Sequence, residues 1–463
     1  MFELMAPLMF AGLVLFLLIG YPVAFALGAN GLLFGLIGMQ MSYVEFAQLQ
    51  ALPERVFGIM SNATLLAIPF FTFMGLVLER SGLAEELLDA MGQLFGALRG
   101  GLAYAVVFVG ALLAATTGVV AATVIAMGLI SLPIMLRYGY DKRIACGVIA
   151  ASGTLAQIIP PSLVLIILAD QLSVSVGDMY RGALMPSLML AGFYLLFVFM
   201  LTLARPGMLP ALPAEARVLR GKALWLQAGA SILPPLILMF LVLGTIFMGI
   251  ATPTEGGAMG ATGALMLALI KRRLNLDLLK QAMDATTRLT SFVIFILIGS
   301  TVFSLVFRLL EGDLWVEHLL TALPGGEIGF LIAVNLLVFI LAFFLDFFEI
   351  AFIIVPLLAP VAASLGIDLV WFGVLLGINM QTSFMHPPFG FALFYLRSVA
   401  PRTVRTSDIY WGAIPFVLIQ LVMVALVLTF PGLVGKHDET VDSGMVEIQL
   451  DNDNEAYLRP PEE

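Results

Sequence analysis

Charge is scarce in this chain. Asp, Glu, Lys and Arg make up 11% of its 463 residues, against about 25% in a typical soluble domain. An aqueous fold could not hide the 61% of residues that are apolar, so a soluble enzyme is excluded and hydrocarbon is left as the solvent. The net charge of −9 also has the wrong sign for a nucleic-acid partner. Cysteine is nearly missing: Cys146 stands alone in an apolar run, which excludes an internal disulfide and a thiolate metal site and makes it a small core residue. The three histidines, His318, His386 and His437, are scattered and form no metal site. No Gly-x-x-x-x-Gly-Lys phosphate loop is present, so ATP is not the expected energy source. A His-Glu zinc motif and a Gly-x-Ser-x-Gly elbow are missing too, which argues against a membrane-embedded enzyme. No cofactor is expected. Residues 1–18 lack the basic leader and small-residue cleavage pattern of a signal peptide and read as a retained helix.

What the chain does have is length of apolar run. Residues 5–18, 102–113, 144–169, 185–203, 224–247 and 409–430 are apolar stretches, to be set against the roughly 20 residues a helix needs to cross a bilayer. They lack the alternation of barrel strands, so the fold class is an all-α polytopic membrane protein. Lys and Arg gather at 137–143, 205–222, 271–273 and 397–405. Short loops of that kind stay cytoplasmic, and placing all four inside gives a consistent path, with 205–222 as a linker between two halves. The segment 433–463 is different. From Lys436 onward it carries nine acids against Lys436 and Arg459, a net −7 that leaves −2 for the other 435 residues. With few large apolar residues, it reads as a disordered solubilising tail on the outer side.

The two halves carry a repeat. Pro133 and Pro360, Gly139 and Gly366, Asp141 and Asp368, Pro160 and Pro387, and Pro161 and Pro388 all stand 227 residues apart with no gap. One such loop, 137–143, is basic while its counterpart, 364–371, has no Lys or Arg. The copies, 1–204 and 223–432, are therefore expected in opposite orientations, the pattern of secondary transporters. Each copy holds a stretch too long for one helix and broken near its middle: 102–136 at Ala115-Thr116-Thr117-Gly118, and 329–363 at Asp346-Phe347-Phe348-Glu349. These are expected to be re-entrant hairpins, whose non-helical tips are tolerated only against protein or a wet cavity. After each comes a helix (144–169 and 372–396) that must break at a Pro-Pro pair. Proline lacks the amide hydrogen, so upstream carbonyls lose their partners. Together with the polar atoms of Ser152-Gly153-Thr154 and Asn379-Met380-Gln381-Thr382-Ser383, those oxygens suit Na⁺, and helix N-termini at the breaks suit a carboxylate. The alternative is that the prolines only kink packed helices.

Acids inside a membrane are costly and usually functional. Asp346 is a candidate cation ligand, whereas Glu349 is placed to pair with a neighbouring donor. Thr252-Pro253-Thr254-Glu255 either caps the helix after it or lends oxygens to the site. Thr116, Thr154, Gln381 and Thr382, with Thr252 and Thr254, are the substrate-binding candidates; Thr117, Gly118, Ser152 and Gly153 join the sodium candidates.

These motifs resemble a known family. Ser152-Gly153-Thr154 through Ile159-Pro160-Pro161-Ser162, Ile250-Ala251-Thr252-Pro253-Thr254-Glu255, Gly366-Ile367-Asp368 and Gln381-Thr382-Ser383-Phe384-Met385-His386-Pro387-Pro388-Phe389-Gly390 are similar to the large membrane subunit of tripartite ATP-independent periplasmic (TRAP) transporters. Gly100-Gly101-Leu102 and Ala67-Ile68-Pro69-Phe70-Phe71 fit it too, so the likeness runs over about residues 1–432. The resemblance implies an elevator-type, Na⁺-driven importer of organic acids in the inner membrane. It also implies a separate four-helix small membrane subunit and a periplasmic binding protein as partners, beside membrane lipids. It places sodium ligands at Thr117, Ala156, Ile159 and Pro161 in the first copy, and at Asp346, Asn379, Ser383 and Pro388 in the second. The chain departs from the family at Val119 and Thr123, where relatives carry small polar or acidic residues, so backbone carbonyls carry more of the first cation site. A standalone Na⁺/dicarboxylate symporter or ion antiporter of related architecture, and a passive channel, stay open as alternatives.

Overall fold

The computed structural model describes residues 2–217, 221–343 and 345–435. The acidic tail from Lys436, with His437, and Arg220 of the linker lie outside the described residues. Among the described residues every regular element is helical. Seven helices are long and apolar enough to cross a membrane, and two further pairs qualify together but are bent at a short break, by 49° after Met60 and by 115° after Thr321.

The helix bounds follow the offset read from the prolines. Helix Val120–Arg137 is matched by the run from Phe347 to Ser364, and Lys142 and Leu369 each open the next helix; 120 and 347, 137 and 364, and 142 and 369 all differ by 227. The turns between them are built alike. Gly139 (φ +83°) and Gly366 (φ +73°) supply the left-handed residue, a conformation that costs an L side chain roughly 1–2 kcal/mol. Asp141 then caps one helix by accepting from the amides of Arg143 (2.9 Å) and Ile144 (3.2 Å). Asp368 does the same for Val370 (2.7 Å) and Trp371 (2.9 Å). Across the halves, Ala67–Arg80 packs on Pro253–Ile270 while Leu276–Leu309 packs on Val23–Gln40. Adding 227 carries Ala67–Arg80 into Leu276–Leu309 and carries Val23–Gln40 to residues 250–267, which overlap Pro253–Ile270, so each pair joins one element from either half and the two pairs are equivalent with the halves exchanged.

Lys142–Thr154 and Leu369–Ser383 form the centre. Every residue from Ile144 to Thr154 and from Val370 to Ser383 is buried. Outer helices instead present large apolar side chains, such as Phe240 at 74% and Ile270 at 75% exposure, a surface suited to lipid. Lipid gives apolar faces little reason to associate, so close approach of small residues has to hold the helices together. Gly147 shows this: a Cβ there would collide with the backbone carbonyl of Gly412 on Thr406–Thr429, so the two helices meet backbone to backbone.

Candidate transport site at the paired helix breaks

In the first half, helix Gly101–Thr117 ends at Gly118 (φ +60°), whose amide bonds to the Ala114 carbonyl at 3.1 Å. Val119 is extended, and Val120–Arg137 follows and packs on the helix before it. The tip between them lies on the break of the neighbouring helix. A Cβ on Gly118 would sit 3.5 Å from the Pro161 carbonyl oxygen and 3.6 Å from the Leu163 amide. Gly153 packs on Val124 of the returning arm, and Ser152 packs on Gly110 of the entering one.

That break follows directly from the prolines. After Thr154 come a 3-10 turn, Leu155–Gln157, and then Ile158 to Pro161. Ser162 starts helix Leu163–Gln171 by accepting from Val164 N, and its hydroxyl donates to the Gln157 carbonyl. In the second half, Leu369–Ser383 stops, Pro387-Pro388 intervenes and Phe391–Val399 begins after Gly390. Both Pro-Pro bonds are cis. A continuing helix would aim the amides of residues 160 and 387 at the carbonyls of Ala156 and Ser383, but both are proline nitrogens without a hydrogen. One residue on, the Gln157 carbonyl takes the Ser162 hydroxyl and the Phe384 carbonyl takes the Ala392 amide at 3.0 Å. Pro388 O accepts from the Tyr410 hydroxyl at 3.1 Å.

The second hairpin enters on Gly326–Leu341 and returns as Phe347–Glu349, a π-helical turn Ile350–Ile354, and Val355–Ser364. Asp346 stands at the head of the returning arm, where its carboxylate accepts from Phe348 N at 2.8 Å while Glu349 accepts from Asp346 N at 3.1 Å. This reciprocal cap gives Glu349 the neighbouring donor expected of it. The tip also meets its own break: the His386 ring stacks on Phe343 (centroids 3.9 Å) and sits edge-on to Phe339 (4.9 Å).

The other polar groups fall into three kinds. Some hydroxyls donate back into their own helix, Thr116 to Leu113 O (2.9 Å), Thr154 to Ala151 O (2.8 Å), Thr382 to Asn379 O (2.6 Å) and Ser383 to Met380 O (2.5 Å). Their hydrogens are used, and at Thr116, Thr382 and Ser383 the oxygen lone pairs remain to meet a cation or a donor group. Asn379 differs, giving its amide hydrogens to the Asn335 carbonyl (2.8 Å) and side-chain oxygen (3.1 Å) on the hairpin arm. A third set is buried without partners: Ser152 Oγ, both polar atoms of Gln157, Oε1 of Gln381 and both ring nitrogens of His386. Buried polar atoms in that state cost about 1–3 kcal/mol each, a cost that a polar ligand or ion held here would offset.

Thr154 and Gln381 join the halves. Gln381 Nε2 donates to Thr154 Oγ1 at 3.2 Å, and the two positions are 227 apart, so equivalent residues touch where the two broken helices cross. Gln420 Nε2 reaches the same oxygen at 3.4 Å and Tyr194 Oη at 2.8 Å. Gln420, Tyr194, Asn335 and Gln157 were not among the sequence-derived candidates; the readable signal was a lone amide or phenol in an apolar run. Thr252 and Thr254 are engaged elsewhere. Thr252 is exposed and forms a capping box with Glu255 (Oγ1 to Oε2 2.9 Å), while Thr254 donates to Ala63 O at 2.6 Å. Among the described residues, no three His, Cys, Asp or Glu side chains converge on a metal position.

Paired hairpins packed on paired broken helices, within a shell of lipid-facing spans, define a polytopic transporter fold. Residues 10–433 match the family described as the tripartite ATP-independent periplasmic transporter, DctM component, and the chain belongs to that family, whose members are transporters and not enzymes. It is a multi-pass inner-membrane protein. It is 32% identical over 385 residues to the C4-dicarboxylate TRAP transporter large permease protein DctM of Pseudomonas aeruginosa, covering 83% of this chain and 88% of that protein. It is 29% identical over 414 residues to the sialic acid TRAP transporter large permease protein SiaM of Vibrio cholerae, covering 89% of this chain and 93% of that protein. Among solved structures, the YdaH transporter of Alcanivorax borkumensis superposes with a TM-score of 0.62 at 16% identity, over 84% of this chain and 90% of that one; it shares the fold.

Proposed function

We propose that the chain is the large permease subunit of a Na⁺-coupled importer of a small organic acid, working with a small membrane subunit and a periplasmic binding protein. The observation that carries this reading is the contact of Thr154 with Gln381 between two breaks that each receive a hairpin tip. The halves are inverted repeats in this reading, and the hairpins and broken helices (102–170 and 329–400) move as one body against the remaining helices. Sodium is held by oxygen, with Ser152 Oγ and the Ala156, Ile159 and Pro161 carbonyls beside the Thr117-Gly118 tip in the first half. In the second half the ligands come from Asp346, Asn379, Ser383 and Pro388. The orphaned Ser152 hydroxyl and the proline-freed carbonyls fit such an ion. The named relatives carry C4-dicarboxylates and sialic acid, which supports a carboxylate as cargo, contacted at Gln381 and at Thr116, Thr154 and Thr382 once these hydroxyls turn from the Leu113, Ala151 and Asn379 carbonyls to donate to it. Uptake of labelled acids into proteoliposomes holding this chain and its small subunit, with and without Na⁺ and binding protein, tests the reading. Uptake that needs both supports it; Na⁺-driven uptake without binding protein replaces it with a standalone symporter.

A further inference from the structure

A separate cavity of about 340 Å³ lies away from the paired breaks. One wall is helix Leu52–Met60 with the turn at Asn62, and another is the far end of Leu276–Leu309. The third is formed by the end of Leu163–Gln171 and by Pro356 of the second hairpin. The basic loop Lys271-Arg272-Arg273 precedes Leu276–Leu309, so the Arg308 end of that helix lies on the opposite, outer side by the positive-inside argument.

The polar groups here are unbalanced in charge. Arg55 and Arg308 both line the cavity, and among the described residues neither makes an ion pair. The one carboxylate in the wall, Asp170, is already engaged: Oδ1 accepts from Asn62 Nδ2 at 2.7 Å and Oδ2 from Gln171 Nε2 at 2.9 Å. Two guanidiniums against one committed carboxylate leave an excess positive charge, and a cleft with low-dielectric walls focuses such a field. Thr301, Ser304 and Arg308 follow one another about a turn apart on a single helix face, so hydroxyls stand beside the guanidinium. The volume is at the lower end of that of small-ligand pockets.

The cavity also straddles the boundary that the transport reading sets in motion. Asn62 to Asp170 crosses it, as does Ser300 Oγ to the Phe352 carbonyl at 2.5 Å within the π-helical turn. We propose that this cavity is an outer receiving site for the transported acid, in which Arg55 and Arg308 bind its carboxylate and the Thr301 and Ser304 hydroxyls meet the rest of the molecule. This rests on the import reading above and adds a place where the acid docks before it reaches the breaks. Arg is suited to the role because its planar fork matches a carboxylate bidentately.

The test uses the chain with its small subunit in proteoliposomes, with the acid that wild-type protein imports. Arg308→Gln and Arg55→Gln should each raise the half-saturating acid concentration at least about tenfold, the loss of a charge-assisted bond, with maximal rate changed less and Arg308→Lys recovering part of it. Ser304→Cys keeps both arginines and adds an accessible thiol, since native Cys146 is buried. Its labelling by a membrane-impermeant maleimide should slow at least fivefold in saturating acid. Wild-type uptake that needs Na⁺ and binding protein, combined with unchanged half-saturation in both glutamine variants or unprotected labelling, overturns the receiving site and leaves the import reading standing. Wild-type protein with no such uptake overturns both.

Discussion

Ser152→Ala separates a cation ligand from a packing residue. Ser152 is fully buried, its Oγ has no hydrogen-bond partner, and its Cβ fills the space beside Gly110, where an added Cβ would come within 2.5 Å of it. Alanine keeps that Cβ and the packing. No hydrogen bond is broken, and removing an unpaired buried hydroxyl relieves about 1–3 kcal/mol of desolvation, so the Na⁺-free protein should be as stable as wild type or slightly more so. If the oxygen binds Na⁺, its loss removes an interaction on the scale of a hydrogen bond to a charged group, about 1.5–3 kcal/mol. The half-saturating Na⁺ concentration should then rise roughly ten- to hundredfold. The assay is initial uptake against Na⁺ concentration in proteoliposomes, paired with thermal unfolding in Na⁺-free detergent. An unchanged Na⁺ requirement refutes the ligand role. A drop in stability that parallels the loss of uptake refutes the claim that the hydroxyl is structurally idle.

Three further substitutions follow from the same geometry. Thr154→Val keeps shape and branching but strands Gln381 Nε2, while Gln420 retains Tyr194; stability should fall by about 1–2 kcal/mol, the range for a hydrogen bond between membrane helices, as read by unfolding in detergent. Asp346→Ala removes the cap on the returning arm of the second hairpin, costing about 1 kcal/mol. It should also weaken Na⁺-dependent uptake, with the protein still inserted as judged by membrane fractionation. Thr252→Ala dissolves the capping box with Glu255 and should cost about 1 kcal/mol while leaving the Na⁺ requirement of uptake where it was.

The offset of 227 was legible because its markers, proline, glycine and a capping aspartate, act locally: each one dictates a break, a turn or a helix start wherever it stands. The helix breaks at both Pro-Pro pairs could be read for the same reason. Other features depend on partners far along the chain. Ile350–Ile354 is an unbroken apolar run, and nothing local announces its π-helical turn; the Ser300 hydroxyl that bonds Phe352 O comes from a helix some 50 residues earlier. Gln420 could not be joined to the site from sequence, since only folding brings it to Thr154. Thr252 was open to two readings, and the structure carries the cap. Helix Val23–Gln40 was diluted by Gly28, Gly31, Gly35 and Gly38, residues that thin its hydropathy. Gly31 and Gly35 sit against Leu276–Leu309.

The central claim is that a sodium gradient drives acid through the paired breaks. The most direct measurement is accumulation of labelled acid in proteoliposomes with small subunit and binding protein, under an inward Na⁺ gradient then collapsed by a sodium ionophore. The account predicts accumulation above the external concentration that is lost on collapse and is absent when K⁺ replaces Na⁺. Equal accumulation in K⁺, or accumulation that survives the ionophore, would contradict it.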